Sequence, residues 1–80
     1  MNLPAKKNKD YPAIINIKIG KNTLTAAMSD GREVSIPLAW FSRLAGAKRK
    51  QLHNYHISPG GYGIHWPDID EDISIKAFLD

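Results

Sequence analysis

The residues best suited to chemistry lie within residues 60–74, a segment with the sequence GGYGIHWPDIDEDIS. It combines three glycines, two aromatic residues, one histidine and four carboxylates. If His56 lies opposite His65 on a hairpin, two imidazoles and a nearby carboxylate form a ligand set that suits zinc or iron. The aspartates available for such a set are Asp68, Asp70 and Asp72. A calcium loop is excluded, because the acidic run lacks its glycine and its distal glutamate.

The same residues also have a purely structural interpretation, which we favour. In it, His65 donates a hydrogen bond that fixes Trp66 and the acidic turn. Asp70 or Asp72 then caps a final helix through its side-chain oxygen. We therefore predict that the protein binds no metal.

Arg43 is a further candidate, because a guanidinium group can hold a carboxylate by two parallel hydrogen bonds. We expect it to project from a helix toward one of Asp68, Asp70 or Glu71. Such an internal clamp would explain why so many carboxylates follow one strand. Two alternatives stay open, a freely solvated acidic edge and a contact surface for a partner.

Other enzyme chemistries lack their residues in this chain. There is no cysteine and no Gly-x-Ser-x-Gly motif, so a nucleophile paired with its base is hard to assemble. Residues 60–63, Gly-Gly-Tyr-Gly, lack the lysine and the helix of a phosphate-binding loop and instead predict a hairpin turn. We predict that the protein is not an enzyme and uses no cofactor.

Length and composition predict one small folded domain. The chain has 80 residues, of which 42% are hydrophobic and 24% charged, a composition typical of a folded protein. Residues 1–12 read as a flexible basic arm and residues 13–80 as a single α+β domain. No apolar run approaches the roughly 20 residues that span a bilayer. Because no signal peptide is recognisable either, we expect a cytoplasmic protein without membrane contact.

The charges are distributed unevenly along the chain. Residues 1–67 carry ten basic and three acidic residues, whereas residues 68–80 carry one lysine and five acids. The basic residues form two clusters, and such clusters can meet phosphate. They are Lys6, Lys7 and Lys9 in the arm and Lys48, Arg49 and Lys50 in the middle of the chain.

Three strands are predicted in the first half of the domain. Alternation of Ile15, Ile17 and Ile19 with polar residues indicates a half-buried first strand. Two further strands follow, and burial of one face pairs Leu24 with Ile36 and Ala26 with Val34. This register places Met28 opposite Arg32 and leaves the loop Ser29-Asp30-Gly31, with glycine where a three-residue hairpin needs a left-handed residue.

Two short helices and a second hairpin are predicted next. Pro37 is suited to open a helix that buries Leu38, Phe41, Leu44 and Ala45, points Arg43 outward and stops at Gly46. Residues 47–54 predict a second helix with Leu52 inward. The second hairpin then pairs Ile57 with Ile64, His56 with His65 and Tyr55 with Trp66, around a two-residue Gly60-Gly61 loop. The last apolar residues, 73–79, form either a short helix or a strand.

These elements define the predicted fold class. It is α+β, with a small, mostly antiparallel sheet made of a β-meander and a hairpin. One or two short helices cover one face of the sheet, and a short helix ends the chain.

Two separated motifs resemble a known bacterial family. Residues 30–44, DGREVSIPLAWFSRL, and residues 61–74, GYGIHWPDIDEDIS, are similar to those of domain of unknown function family 2442. The likeness covers about residues 24–79, with departures at Ser42, where the family often has proline, and at Tyr55, where tryptophan is common. The resemblance implies a compact α+β fold in cytoplasmic bacterial or phage-borne proteins. It also implies occurrence alone or beside a DNA-binding domain, and gene pairs similar to a toxin and its antitoxin.

Three classes of function follow, in order of preference. The first is a protein-interaction module, antitoxin-like or inhibitory, that presents acidic and aromatic groups to a protein partner. Its predicted partner-binding residues are Trp40, Arg43, His65, Trp66, Asp68, Asp70, Glu71 and Asp72. The second is nucleic-acid binding through Lys6, Lys7, Lys9, Lys48, Arg49 and Lys50, with affinity that falls steeply with salt. An enzyme is the third.

Overall fold

The protein forms two three-stranded antiparallel sheets, as seen in a computed structural model that describes residues 12–79. The first sheet contains β1 (Ile14–Ile19), β2 (Thr23–Met28) and β3 (Glu33–Pro37). The second contains β4 (His56–Ile57), β5 (Gly63–Trp66) and β6 (Glu71–Ser74). In chain order, α1 (Ser42–Ala45) and α2 (Arg49–Leu52) come between the two sheets. One 3₁₀ turn follows β3 (Leu38–Trp40), one lies between β4 and β5 (Pro59–Gly61), and one follows β6 (Ile75–Phe78). The α+β class is confirmed, and the strands divide between two sheets.

The predicted register of the β2–β3 hairpin is confirmed. Leu24 lies opposite Ile36 and Ala26 opposite Val34. The backbone N–H of Met28 donates to the carbonyl of Arg32 at 2.9 Å, which closes the three-residue loop. Gly31 has a φ of +96°, the left-handed conformation that this loop requires.

Strand β1 departs from the predicted alternation. Ile14 and Ile17 are buried, whereas Ile15 is 63% exposed. The cause is an irregularity in the pairing with β2, where Ile14 faces Met28 but Asn16 already faces Ala27. The extra residue, Ile15, has no partner of its own, and a bulge of this kind breaks the period of two.

The second hairpin has the predicted pairing but a different loop. Ile57 lies opposite Ile64 and His56 opposite His65. The N–H of Gly61 donates to the carbonyl of Ser58 at 2.8 Å and closes a four-residue turn. Pro59 is the second residue of this turn and Gly60 the third, with φ 82° and ψ −6°. These are the features of a type II turn. A two-residue Gly60-Gly61 loop is wrong, because it requires a backbone N–H at position 59 and proline has none.

The segment after β3 contains shorter helices than predicted. Pro37 is extended and ends β3, and the N–H of Leu38 still donates to the carbonyl of Asn22 at 2.9 Å. Phe41 is also extended, with φ −125° and ψ 107°, so it separates the 3₁₀ turn from α1. Ala45, expected to be buried, is exposed in this geometry. Gly46 follows α1 as predicted.

Residues 71–78 contain both of the predicted alternatives, a strand and a short helical turn. Residues Glu71–Ser74 pair with β5 as a strand, and Ile75–Phe78 form a 3₁₀ turn. The N-cap of this turn is Ser74, whose hydroxyl accepts from the N–H of Lys76 at 3.1 Å. The prediction that Asp70 or Asp72 caps a final helix is therefore wrong, because both lie before or within β6.

One hydrophobic cluster joins the two sheets. It includes Ile14, Ile17, Leu24, Ala26, Met28, Ile36, Leu38, Leu44, Leu52, Ile64, Trp66, Ile73, Ile75 and Phe78. Gly61 brings the second hairpin against β1, where a Cβ on this glycine would lie 2.7 Å from the nitrogen of Ile14. The hydroxyl of Tyr55 also reaches across, donating to the carbonyl of Ile17 at 3.4 Å. The two halves thus share one core.

Candidate functional site

The acidic segment between β5 and β6 is held at three points by other elements. Asn54 donates its side-chain N–H to the Asp68 carboxylate at 3.0 Å. Arg43 donates to the main-chain carbonyl of Asp70. His65 and Asp72 face each other across β5 and β6, with Nδ1 and Oδ1 2.8 Å apart. The turn is therefore fastened to the rest of the domain rather than free at its ends.

Arg43 and Asp70 meet as the clamp hypothesis expected, but through different atoms. The bond ends on the backbone carbonyl, and the nearest carboxylate oxygen of Asp70 lies 3.9 Å from the Arg43 nitrogen. The Asp70 side chain is 90% exposed, and the residue has a φ of +51°, unique among non-glycine residues in the described part of the chain. The predicted pair of parallel bonds to a carboxylate is wrong, since this contact uses one donor and a carbonyl.

The hypothesis that a hydrogen bond from His65 fixes the acidic turn is borne out in part. His65 contacts Asp72 and so fixes the strand that follows the acidic turn. His56, His65 and Asp72 occupy successive strands at matched positions. Within residues 12–79, no group of three or more metal-ligating side chains is arranged to hold an ion.

The two tryptophans have opposite environments. Trp66 has no exposed surface. Its Nε1–H donates to the carbonyl of Leu52 at 2.9 Å, and its ring lies 6.2 Å from that of Tyr55. The prediction that Trp66 contacts a partner is therefore wrong, because the side chain belongs to the core. Trp40, in contrast, is 64% exposed.

Trp40 lies at the edge of a shallow apolar groove beside β3. Val34 and Ile36 contribute one side of this groove, and Ala77 and Leu79 the other. Val34, Ala77 and Leu79 are only partly buried. Exposed apolar surface of this kind, with an aromatic residue at its edge, is typical of protein interfaces.

The members of the predicted basic cluster at residues 48–50 have different environments. Arg49 donates to the carbonyls of Gly20 at 2.9 Å and Ile19 at 3.3 Å, so it holds α2 against the end of β1. Lys48, the N-cap of α2, and Lys50 within α2 are exposed. The other lysines of the nucleic-acid hypothesis, Lys6, Lys7 and Lys9, lie outside the described residues. The structure therefore gives Arg49 a structural role that the charge run did not indicate.

Sequence reasoning also missed a hollow on the outer face of the second sheet. Gly63, Tyr62, His65 and Asp72 are among the residues that line it. Gly63 must be a glycine, because a Cβ there would lie 2.8 Å from the carbonyl oxygen of Ile73. The available signal was Gly63 two residues before His65, since alternate residues of a strand share one face and a glycine there leaves the neighbouring histidine more accessible.

The fold and these surfaces define a small α+β domain of two three-stranded antiparallel sheets. The chain belongs to the family described as "Protein of unknown function (DUF2442)", whose model matches residues 14–80. The suspected family resemblance is thus confirmed.

A solved structure shares this fold. It is the crystal structure of a protein of unknown function from Rhodospirillum rubrum, with 24% identity and a TM-score of 0.76. The match covers 88% of this chain and 87% of that one. The curated proteins contain no match. In the part of the chain from residue 12 to residue 79, no helix has both the length and the apolar character needed to cross a membrane.

Proposed function

We propose that the protein is a non-enzymatic protein-interaction module, antitoxin-like or inhibitory, that acts in the cytoplasm of a bacterium or in a phage-borne system. The observation that carries this proposal is the exposure of Trp40 beside an apolar groove. A tryptophan loses much favourable burial when left in water, and tryptophan is enriched among the residues that dominate binding energy at interfaces.

The surroundings of Trp40 support an interface with a polar rim. Arg43 follows three residues later and is exposed, and it reaches Asp70, whose carboxylate extends into solvent. Partner contacts at such a rim add specificity and speed of association more than affinity. Of the predicted partner-binding residues, Trp40, Arg43 and Asp70 therefore form the proposed contact surface.

The test compares two exposed apolar residues. Tagged wild-type protein, the Trp40→Ala variant and the Ile15→Ala variant are used to capture proteins from the native host, with quantification by mass spectrometry. Ile15 is a matched control because it is 63% exposed, against 64% for Trp40, and lies on β1. We expect one protein in stoichiometric amount with wild type and Ile15→Ala.

Trp40→Ala should lower that recovery at least about tenfold, as expected for an interface hot spot. Circular dichroism of each variant verifies that the fold is kept. Equal recovery with Trp40→Ala and wild type would contradict this interface.

A further inference from the structure

The hollow on the second sheet has the shape and the polar atoms of a side-chain binding site. Its volume is about 240 Å³, and its lining includes Ser58, Tyr62, Gly63, His65, Asp72 and Ser74. Tyr62 is 66% exposed, so the hollow offers an aromatic side chain to a ligand at its rim.

The His65–Asp72 pair provides two hydrogen-bond acceptors in this lining. An ionised carboxylate only accepts, so the 2.8 Å contact requires a hydrogen on Nδ1 of His65. In the neutral ring, Nε2 is then an acceptor. Among the bonds of residues 12–79, Asp72 uses Oδ1 and His65 uses Nδ1. Oδ2 of Asp72 and Nε2 of His65 are thus available to a ligand with several N–H donors.

We propose that the hollow binds an arginine side chain of the partner protein. A guanidinium group carries five N–H donors in a planar fork, and it can donate to the free carboxylate oxygen of Asp72. Its face can stack on Tyr62 by a cation–π contact. This inference rests on the proposed interaction function and names the chemistry of a second contact.

Charge complementarity favours this occupant over an anionic one. The segment from Asp68 to Asp72 carries four carboxylates, including Asp72 in the hollow itself. Their combined field attracts a cation and repels phosphate. A lysine also brings positive charge, but its compact ammonium lacks the planar face with which a guanidinium stacks on a ring.

The experiment titrates the full chain, labelled with ¹⁵N, with N-acetyl-arginine methylamide and follows backbone amide shifts by NMR. We expect saturable shifts at Tyr62, Gly63, His65 and Asp72. The neutral citrulline analogue, which keeps a similar shape without the charge, should bind at least about fivefold more weakly. The lysine analogue should also bind more weakly than arginine.

Two variants locate the site. Asp72→Asn should weaken arginine binding at least about fivefold, and it should fold because the Asp72 side chain is 75% exposed. Glu33→Gln is the matched control, an exposed carboxylate on the first sheet, and should leave the titration unchanged. An unchanged spectrum away from the substitution verifies the fold of each variant.

Several outcomes would overturn the proposal. They are an absence of saturable shifts, equal binding of the citrulline analogue, equal binding of the lysine analogue, or an unaltered titration with Asp72→Asn. This test is separate from that of the interaction module. If arginine does not bind but capture of the partner still depends on Trp40, only the proposed arginine site in the hollow is rejected. If capture does not depend on Trp40, the proposed interface is rejected.

Discussion

Replacing each tryptophan by phenylalanine tests the assignment of Trp66 to the core and of Trp40 to the surface. Trp66→Phe removes the N–H that donates to the carbonyl of Leu52 and leaves a smaller ring at a site with no exposed surface. Trp40→Phe makes the same chemical change at a side chain that is 64% exposed. The two variants therefore make the same substitution and differ only in how deeply the replaced side chain is buried.

The expected loss for Trp66→Phe follows from two contributions. A buried carbonyl that loses its donor costs about 1 to 3 kcal/mol. The space left by the smaller ring adds about 1 to 2 kcal/mol on the scale of large-to-small core substitutions. We expect the free energy of unfolding to fall by about 2 to 5 kcal/mol. In a domain of this size that lowers Tm by roughly 8 to 40 °C.

The assay is urea unfolding followed by far-ultraviolet circular dichroism, which does not depend on tryptophan fluorescence. Trp40→Phe should change the free energy of unfolding by less than about 0.5 kcal/mol. Both variants should keep the wild-type slope with urea, which shows that the surface exposed on unfolding is unchanged. Similar losses for the two variants would refute the assignment of Trp66 to the core.

Two further matched pairs test the packing between the halves. Gly61→Ala should destabilise by about 3 kcal/mol or more, because φ is +73° and the new Cβ meets backbone atoms of Ile14 at 2.7 Å. Gly31→Ala also has a positive φ, but nothing lies within 4 Å, so thermal unfolding should show only about 1 kcal/mol of loss; equal losses would contradict the close approach at Gly61. Arg49→Met should cost about 1 kcal/mol, because two carbonyls of the first sheet lose their donor. Lys50→Met should stay within about 0.5 kcal/mol in the same urea assay, and a larger effect at Lys50 would argue against the assigned role of Arg49.

The sequence predicted the local pairing of strands well, because that pairing depends on short-range rules. The β2–β3 register followed from keeping Leu24 and Val34 on buried faces and from a glycine at the left-handed loop position. The pairing of His56 with His65 followed in the same way. Such constraints lie within one hairpin, so a single sequence contains them.

The wrong predictions concern features that depend on contacts between distant residues. The bulge that exposes Ile15 is a property of pairing with β2, and regular alternation gave no sign of it. The burial of Trp66 requires the carbonyl of Leu52, 14 residues earlier. The extended conformation of Phe41 interrupts a helix pattern that looked continuous. Each of these features can be recognised only when the assembled core is known.

The candidate site was predictable in its residue types more than in its geometry. The acidic segment was expected to contact Arg43, and it does at Asp70, but only the structure shows that the main-chain carbonyl is the acceptor. His65 was expected to fix the acidic turn, and Asp72 is its partner. Because these contacts depend on how β6 turns back along β5, spacing in the sequence did not specify the atoms.

Within residues 12–79, the outer edge of β1 is covered by side chains of the second half and not by a fourth strand. The carbonyls of Ile17 and Ile19 in β1, and that of Gly20 directly after it, accept from Tyr55 and Arg49 of the second half. Side-chain donors therefore occupy the positions that another strand would use. The same contacts attach the second half to the first.

The edges formed by β3 and β6 also favour recognition by side chains over strand addition. β3 is short and ends at Pro37, which has no N–H to offer a partner strand. β6 has only four residues, and its first two are Glu71 and Asp72, charges that oppose edge-to-edge pairing. The proposed partner is therefore expected to bind through protruding or recessed side chains and not by adding a strand to β3 or β6. Trp40 beside β3 and the hollow at His65 and Asp72 are surfaces of those two kinds, and this is why we assign recognition to them.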